Sequence, residues 1–454
     1  MSPVFKSIFP FNQSLVAEYP VNTEKEIASK ISCAENAFEI WSNTSFAQRA
    51  AVLNRAASLL REQKESLAKI ITEEMGKLTK EAIAEVEKCA GCCEYYATHA
   101  EDFLKDEYAE AGYSKSFVAY QPIGAVFAIM PWNFPFWQVI RFAAPTLMAG
   151  NVALLKHAPN VCGCSLAIEK IFTEAGAPPG VFQSLIVDVD VTERIISEKI
   201  VQAITLTGSE AAGSSVSSIA SKHIKKSVLE LGGSDAFIVL PDADMEKAAA
   251  IATLSRFQNA GQSCIAAKRF MIVENAVDEF RHQLHLQFAK LKQGNPFNAD
   301  TTTAPMARFD LAEKLKQQLN NSIKKGAVLN MGGEMDGCNF NPALLLNVYE
   351  GMPAFDEETF GPLMPLITVK DEAEAIALAN KSEYGLGGSI WTKDIDKGIA
   401  IARKINTGAV FINSLVKSDP RLPFGGVKKS GFGRELGRQG ILEFVNAKTI
   451  AAEG

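Results

Sequence analysis

The chain has 454 residues, a formal net charge of -6 and a charged fraction of 22%. Its length exceeds one ordinary hydrophobic core, so we expect two or three domains. Acidic and basic residues are interspersed without a basic run, which argues against nucleic acid and anionic membranes as partners and favours small molecules. The first residues lack a targeting pattern and no apolar run reaches spanning length, so we expect a cytoplasmic protein.

Helical periodicity dominates from residue 23 to residue 104, which predicts a helical opening layer. Within it, Cys89, Cys92 and Cys93 share one helix face. No second pair of cysteines or histidines follows at the spacing of a zinc site, so we interpret the three as core residues and expect no metal. The eight cysteines of the chain lack the regular spacing of a secreted disulfide framework and indicate a reducing compartment.

From about residue 118, short apolar runs alternate with helical segments. This alternation predicts a parallel sheet covered by helices, wound like a dinucleotide-binding domain. The predicted strands are 124–130, 151–156, 181–187, 203–208 and 226–233.

A second alternating series follows and predicts a second α/β domain. No flexible linker separates the two series, so we place their boundary near Gly232 and Gly233, at a tight interface of the kind where ligand clefts form. The predicted elements are strands 235–240, 269–274 and 409–413 and helices 245–259, 277–291 and 311–325.

Cys264 follows the end of a helical pattern and precedes a strand, so its thiol is predicted to lie on a turn. Free backbone N–H groups at such a turn can lower the pKa of a thiol and later bind an oxyanion. A buried structural cysteine explains the same pattern equally well. The local residues alone leave both interpretations open.

Two further residues have a pattern that suggests chemistry. Glu230 lies within an apolar, strand-like run before paired glycines, where a carboxylate either reaches water at the strand end or is held partly buried as a general base. Asn133 stands between Trp132 and Phe134 in a proline-fixed loop, and its amide could donate to a developing oxyanion. An aromatic-rich core loop would explain the tryptophans but not the asparagine.

No glycine fingerprint of the dinucleotide-binding type follows any predicted strand. The nearest glycine-rich turn, at 206–213, joins a strand to a helix, and its free N–H groups could bind a phosphate. Such turns are also ordinary packing devices. A bound dinucleotide would therefore need an unusual binding mode.

Taken together, several motifs resemble the aldehyde dehydrogenase superfamily, in that family's order and over nearly the whole chain. They are MPWNFPFW, LLKHA, LTGSEAAG, LELGG, NAGQSC, EETFGP and PFGGVKKSGFGREL. The resemblance implies that Cys264 is the nucleophile, that Glu230 is the general base, and that Asn133 with the Cys264 backbone N–H forms the oxyanion site. It implies oxidation of an aldehyde to a carboxylic acid through a thiohemiacetal and a thioester.

The resemblance also implies a site for NAD or NADP that needs no glycine fingerprint. NAD-preferring members tend to carry an acidic residue at the position of Pro159, so the choice between the two cofactors stays open. The implied cofactor-binding residues are Ile129, Trp132, Lys156, Pro159, Gly208, Ser209, Leu231, Glu358 and Phe360.

Within the superfamily, the chain is most similar to the short succinate-semialdehyde dehydrogenases. This resemblance implies a carboxylate-binding site around Arg141, Ser418 and Arg421. Gln258 stands where some relatives carry an arginine. Alternatives are another small aliphatic or carboxylated aldehyde such as glutarate semialdehyde, a coenzyme-A-acylating relative, or a non-catalytic relative.

The resemblance implies an α/β fold of the aldehyde dehydrogenase type, with a Rossmann-type cofactor domain and an α/β catalytic domain. The predicted boundaries are 1–107 with 122–231 for the cofactor domain and 232–434 for the catalytic domain. A projecting hairpin at 108–121 and the segment 435–454 are expected to form an oligomerisation module, with the final apolar residues paired as a strand across a subunit boundary. We expect a homodimer or homotetramer.

Overall fold

The structure is a computed structural model that describes residues 3–454. It contains a six-stranded, a seven-stranded and a three-stranded β-sheet, together with two-stranded pairs. The strands are β1 (Val4–Phe9), β2 (Ser14–Pro20), β3 (Glu107–Tyr108), β4 (Lys115–Pro122), β5 (Ala125–Met130), β6 (Val152–His157), β7 (Phe182–Ser184), β8 (Val201–Thr207), β9 (Lys226–Glu230), β10 (Asp235–Val239), β11 (Ala267–Val273), β12 (Val328–Met331), β13 (Met335–Asp336), β14 (Asn339–Phe340), β15 (Ala343–Leu346), β16 (Leu363–Val369), β17 (Tyr384–Gly385), β18 (Gly388–Trp391), β19 (Phe411–Ile412), β20 (Val427–Lys428), β21 (Gly431–Phe432) and β22 (Val445–Ala452).

Fifteen α-helices cover and connect these sheets in the described part of the chain. The longest is α4, and no helix of residues 3–454 has the length and apolar character needed to cross a membrane. The helices are α1 (Glu24–Trp41), α2 (Phe46–Glu62), α3 (Lys64–Met75), α4 (Thr79–Phe103), α5 (Trp137–Met148), α6 (Cys162–Glu174), α7 (Thr192–Ser197), α8 (Glu210–Lys222), α9 (Met245–Phe257), α10 (Val277–Phe288), α11 (Phe309–Lys324), α12 (Pro353–Asp356), α13 (Glu372–Lys381), α14 (Ile395–Ala402) and α15 (Gly437–Leu442).

Helices α1 to α4 form the predicted helical layer. Capping boxes at Thr23 and Ser45 begin α1 and α2. In each box, the side chain of the cap residue accepts from the backbone N–H of the third helical residue, and the side chain of that third residue accepts from the backbone N–H of the cap residue. Cys89, Cys92 and Cys93 are fully buried on α4, within the large core cluster, as the helical pattern predicts. The β1–β2 hairpin was not predicted, because its half-exposed strands form no apolar run.

The six-stranded sheet has the order β21-β9-β8-β5-β6-β7, and all neighbouring pairs except β21–β9 are parallel. The carboxyl ends of β5, β6, β8 and β9 therefore lie along one edge, where open α/β sheets bind ligands. Each of these ends leads into a segment that carries candidate site residues.

The seven-stranded sheet has the order β12-β15-β16-β11-β10-β18-β19, and apolar clusters cover both of its faces. Its edge strand β19 has two residues, fewer than the predicted strand 409–413. Asn413 ends the strand after Ile412, because its φ is 51° and its side chain bonds both backbone groups of Thr392.

The third sheet joins the two segments expected to form an oligomerisation module. Strands β3 and β4 make the projecting hairpin, and β22 pairs antiparallel with β4 over eight residues. The C-terminal strand thus pairs within its own chain, its residues are mostly exposed, and no other strand of residues 3–454 pairs with its outer edge.

Candidate active site

Cys264 lies on a tight turn between α9 and β11. Asn259, Ala260 and Gly261 have consecutive φ values of 54°, 52° and 72°, a left-handed run that costs energy at its two non-glycine positions. Glycine is required at position 261 for two reasons. Its φ lies in the left-handed region, and a Cβ there would lie 2.5 Å from the Gly361 carbonyl oxygen. The strained turn is held by the Asn259 amide, which donates 2.8 Å to the Asn133 carbonyl.

The thiol of Cys264 faces a cavity of about 170 Å³ and is half-buried. Burial raises the pKa of Cys264 to about 11, while the positive charges of Arg141 and Lys268 oppose that rise. The other walls of the cavity come from α4, the β5–α5 loop with α5, the turn around Cys264 and the segment before β20. They are formed mainly by Phe134, Trp137, Gln138, Gln258, Ile265, Val416, Ser418 and Phe424.

Asn133 is buried and connects the β5–α5 loop to the turn before Cys264. One of its amide hydrogens donates 3.0 Å to the Gln262 carbonyl, and its oxygen accepts from Gln138 at 3.0 Å. A primary amide has two N–H donors, so the second is available to another acceptor. The buried Glu85 carboxylate anchors the junction of this loop with α5. It accepts a 3.0 Å hydrogen bond from the backbone N–H of Trp137, the first residue of α5.

Glu230 is buried at the end of β9, and neither of its carboxylate oxygens has a hydrogen-bond partner among the described residues. Burial, and then the nearby Glu435 carboxylate, raise the pKa of Glu230 well above its usual range, while Arg141 opposes the rise. The negative charge of Glu230 also raises the pKa of Cys264, which places the two groups within electrostatic range. Such a carboxyl group is suited to accept a proton.

The three residues expected around a substrate carboxylate have different surroundings. Ser418 lines the cavity. Arg141 lines it too, but its guanidinium pairs with the buried Glu435 and donates to Thr207 at 3.2 Å. Arg421 departs from expectation: its side chain is 73% exposed, pairs with Asp419 two residues away and does not line this cavity.

Two lysines of the site were missed by the sequence analysis. Lys268 is buried at the start of β11, and its ammonium donates to the carbonyl oxygens of Ser263 at 2.9 Å and Cys264 at 2.8 Å. Lys88, on α4, lines the same cavity as Cys264. Lys268 follows the nucleophile by four residues and could have been noticed, whereas nothing local distinguishes Lys88.

A second cavity, of about 450 Å³, lies between the two large sheets beside α8. Ser209 caps α8, leaving N–H groups of its first turn free for an anion. Gly232 approaches the Glu358 side chain so closely that a Cβ would lie 2.5 Å from its carboxylate oxygen. The groove has a helix N-terminus at one side and the Glu358 carboxylate at the other.

The other candidate cofactor residues follow the same sheet edge. Ile129 pairs with Lys156 and Leu206 on neighbouring strands, and burial lowers the pKa of Lys156. Gly208 follows β8, and Leu231 packs beneath the first turns of α8, where it would lie 2.7 Å from a Cβ at residue 213.

Beside this groove, Phe360 makes an edge-to-face contact with Trp132 at 5.9 Å. Glu358 accepts from the Gly233 N–H at 3.0 Å and lies 3.3 Å from the Lys268 ammonium. Pro159 is exposed at the start of a 3₁₀ turn after β6. No acidic side chain therefore stands at position 159.

Comparison with known proteins identifies the family of the chain. The model of the aldehyde dehydrogenase family matches residues 2–450. A probable NADP(+) succinate-semialdehyde dehydrogenase from Synechocystis sp. is 48% identical over 447 residues, which are 98% of each chain. An NADP(+) succinate-semialdehyde dehydrogenase from Deinococcus radiodurans is 41% identical and covers 99% of this chain and 94% of its own.

Solved structures have the same fold. The succinic semialdehyde dehydrogenase of Streptococcus pyogenes, crystallised with NADP+, superposes with a TM-score of 0.97 at 36% identity, covering 99% of this chain and all of its own. A succinate-semialdehyde dehydrogenase from Burkholderia pseudomallei superposes with the same TM-score at 32% identity, covering 100% of this chain and 95% of its own.

Proposed function

The chain belongs to the aldehyde dehydrogenase family, an NAD(P)-dependent group of aldehyde-oxidising enzymes, and from this premise we propose that it oxidises succinate semialdehyde to succinate with NADP+. The proposal rests on one observation: a single cavity is lined by the Cys264 thiol and by cationic and hydroxyl donors suited to a carboxylate. The names of similar proteins support the same substrate.

The residues of the cavity suit a two-stage oxidation. The Cys264 thiolate adds to the aldehyde carbon, and the free amide hydrogen of Asn133, with the Cys264 backbone N–H, donates to the new oxyanion. NADP+ bound beside Ser209 and Glu358 would accept the hydride that leaves the tetrahedral carbon, and that carbon would then remain bonded to the sulfur as a thioester. Glu230 then takes a proton from a water molecule, the water oxygen attacks the thioester carbon, and the C–S bond breaks to release succinate and the thiolate.

The residues that follow β6 favour NADP+ over NAD+. An acidic residue at position 159 would bond the ribose hydroxyls of NAD and repel a 2′-phosphate, but Pro159 has no charge. Lys156 places a buried cation three residues earlier. A 2′-phosphate would therefore meet a cation and no carboxylate from this segment.

Initial rates of nicotinamide reduction test the proposal. They are measured with succinate semialdehyde and with butanal, an aldehyde of the same length without the carboxylate, each with NADP+ and NAD+ and without coenzyme A. We expect kcat/KM for the semialdehyde to exceed that for butanal by about a hundredfold, the size of a lost charge-assisted contact. Equal values would refute the substrate, and a strict need for coenzyme A would refute the hydrolytic stage.

We further propose that the protein is a cytoplasmic homodimer or homotetramer. The support is the outer edge of β22, a row of backbone groups that needs covering, and the exposed Ile450 on the same strand. Sedimentation equilibrium tests the assembly: we expect a mass of two or four chains. A single-chain mass at micromolar concentration contradicts it.

A further inference from the structure

The ammonium of Lys88 is a half-buried cation in the wall of the nucleophile's cavity. It donates 2.8 Å to the hydroxyl oxygen of Ser418 and lies 3.9 Å from the centre of the Trp137 ring. No carboxylate in residues 3–454 forms an ion pair with it; the nearby Glu85 is instead paired with Lys77. Within residues 3–454, Lys88 is therefore a positive charge without a protein counter-ion, in the same cavity as the reacting thiol.

The Ser418 hydroxyl is oriented by two donors. Lys88 donates to its oxygen, and the Trp137 indole N–H donates to the same oxygen at 2.9 Å. A hydroxyl oxygen has two acceptor positions and one hydrogen. Because both acceptor positions are occupied, the Ser418 hydroxyl interacts with a ligand only by donating its hydrogen.

Arg141 is less suited than Lys88 to bind a substrate carboxylate. Its guanidinium is buried, pairs with Glu435 and donates to Thr207. A substrate carboxylate bound to Arg141 would compete with a buried carboxylate that already neutralises it. Gln258, which also lines the cavity, is neutral.

From these contacts we propose that Lys88, together with the Ser418 hydroxyl, binds the carboxylate of the substrate and gives the enzyme its preference for a semialdehyde over an uncharged aldehyde. This role rests on the proposed function, because it needs a substrate with a carboxylate. Lys88 has two N–H donors left after its bond to Ser418. A substrate carboxylate accepts hydrogen bonds from Lys88 and from the Ser418 hydroxyl. The carboxylate also supplies the counter-ion that the lysine lacks.

The same contacts predict a pH dependence of binding. Burial, with the positive charge of Arg141, lowers the pKa of Lys88 to about 8, and Cys89, Cys92 and Glu85 oppose this change. Lys88 is charged below that pH and neutral above it. The KM for succinate semialdehyde should therefore rise above pH 8, by up to about tenfold per pH unit, while the KM for butanal should not follow this titration.

The test compares kcat/KM for succinate semialdehyde and for butanal in wild type, Lys88→Met, Lys88→Arg and Lys417→Met. Lys417 is the matched control, because it lines the same cavity but is exposed. We expect Lys88→Met to reduce the semialdehyde-to-butanal ratio by about ten- to a hundredfold and to abolish the rise of KM above pH 8. Lys88→Arg should recover most of the ratio, and Lys417→Met should keep it.

The outcomes separate this role from the proposed function. If wild type itself fails to prefer the semialdehyde, the proposed function is wrong and the role of Lys88 falls with it. If wild type prefers the semialdehyde and Lys88→Met keeps that preference, or Lys417→Met loses it instead, only the role of Lys88 is wrong. Because the readout is a ratio of two substrates on one preparation, partial unfolding of a variant does not change it.

Discussion

The ammonium of Lys268 donates a 2.8 Å hydrogen bond to the carbonyl oxygen of Cys264. It also bonds the Ser263 carbonyl at 2.9 Å and lies 3.3 Å from Glu358 in the cofactor groove. One buried cation thus connects the nucleophile's turn to a residue of the proposed cofactor site.

Replacing this cation should loosen the turn. Lys268→Met removes the donor from two carbonyl oxygens, and leaving buried acceptors unpaired costs about 1–3 kcal/mol each. We expect the free energy of unfolding, measured in urea, to fall by about 2–4 kcal/mol, and kcat to fall as the thiol loses its position. Lys290→Met, at an exposed lysine just after α10, is the control. A change below about 0.5 kcal/mol would contradict the structural role of the cation.

Replacing Glu230 should separate the two chemical stages. In Glu230→Gln the thiolate still attacks and the first equivalent of NADPH still forms, but no carboxylate takes the proton from water. We expect a burst of NADPH near one equivalent per site, followed by a steady-state rate reduced by about 10²–10⁴-fold. Stopped-flow absorbance at 340 nm measures both phases. A variant that turns over at the wild-type rate, or that shows no burst, would remove Glu230 from the second stage.

The residue types of the site could be predicted from the sequence, but several of their contacts could not. The turn at Cys264 follows from local signals, namely a helix end, a glycine and a strand start. Lys88 and Ser418 are separated by 330 residues, and their contact depends on how the segment before β20 packs against α4. The neutralisation of Arg141 by Glu435 arises in the same way, because no periodicity relates residues so distant in the chain.

Position 159 offers a direct test of cofactor choice. Pro159→Glu would place a carboxylate where the ribose 2′ position is expected, next to Lys156. The new carboxylate and the 2′-phosphate would be like charges in contact, which costs several kcal/mol. We therefore expect kcat/KM with NADP+ to fall by about a hundredfold, so that the ratio of kcat/KM with NADP+ to kcat/KM with NAD+ reverses. Pro159→Ala, which changes the backbone constraint without adding charge, should keep the ratio. If Pro159→Glu keeps the wild-type ratio of the two kcat/KM values, the 2′ position of the ribose lies elsewhere.

The raised pKa of Cys264 predicts how its reactivity changes with pH. Burial raises that pKa to about 11 in the free enzyme, so only a small fraction of thiolate is present at pH 7. We expect the rate of inactivation by iodoacetamide to rise about tenfold per unit between pH 7 and pH 10. Inactivation that reaches a plateau by pH 8 would mean that the thiol ionises far more easily than its surroundings indicate.

Removing Arg141 should affect the stability of the whole fold. The buried Glu435 pairs with it, and Glu230 lies close enough for Arg141 to oppose the rise of its pKa. Arg141→Met leaves these carboxylates without their cation, and breaking a buried ion pair in this way costs about 3–5 kcal/mol. We expect that loss in urea unfolding at pH 7.

The double variant Arg141→Met/Glu435→Leu decides whether the loss comes from the unpaired charge. Replacing a buried ion pair by apolar residues is often neutral, so the double variant should recover most of the stability that the single variant loses. It should keep the preference for the semialdehyde as well, because Lys88 and Ser418 remain. A double variant that recovers stability but loses this preference would return the carboxylate-binding role to Arg141.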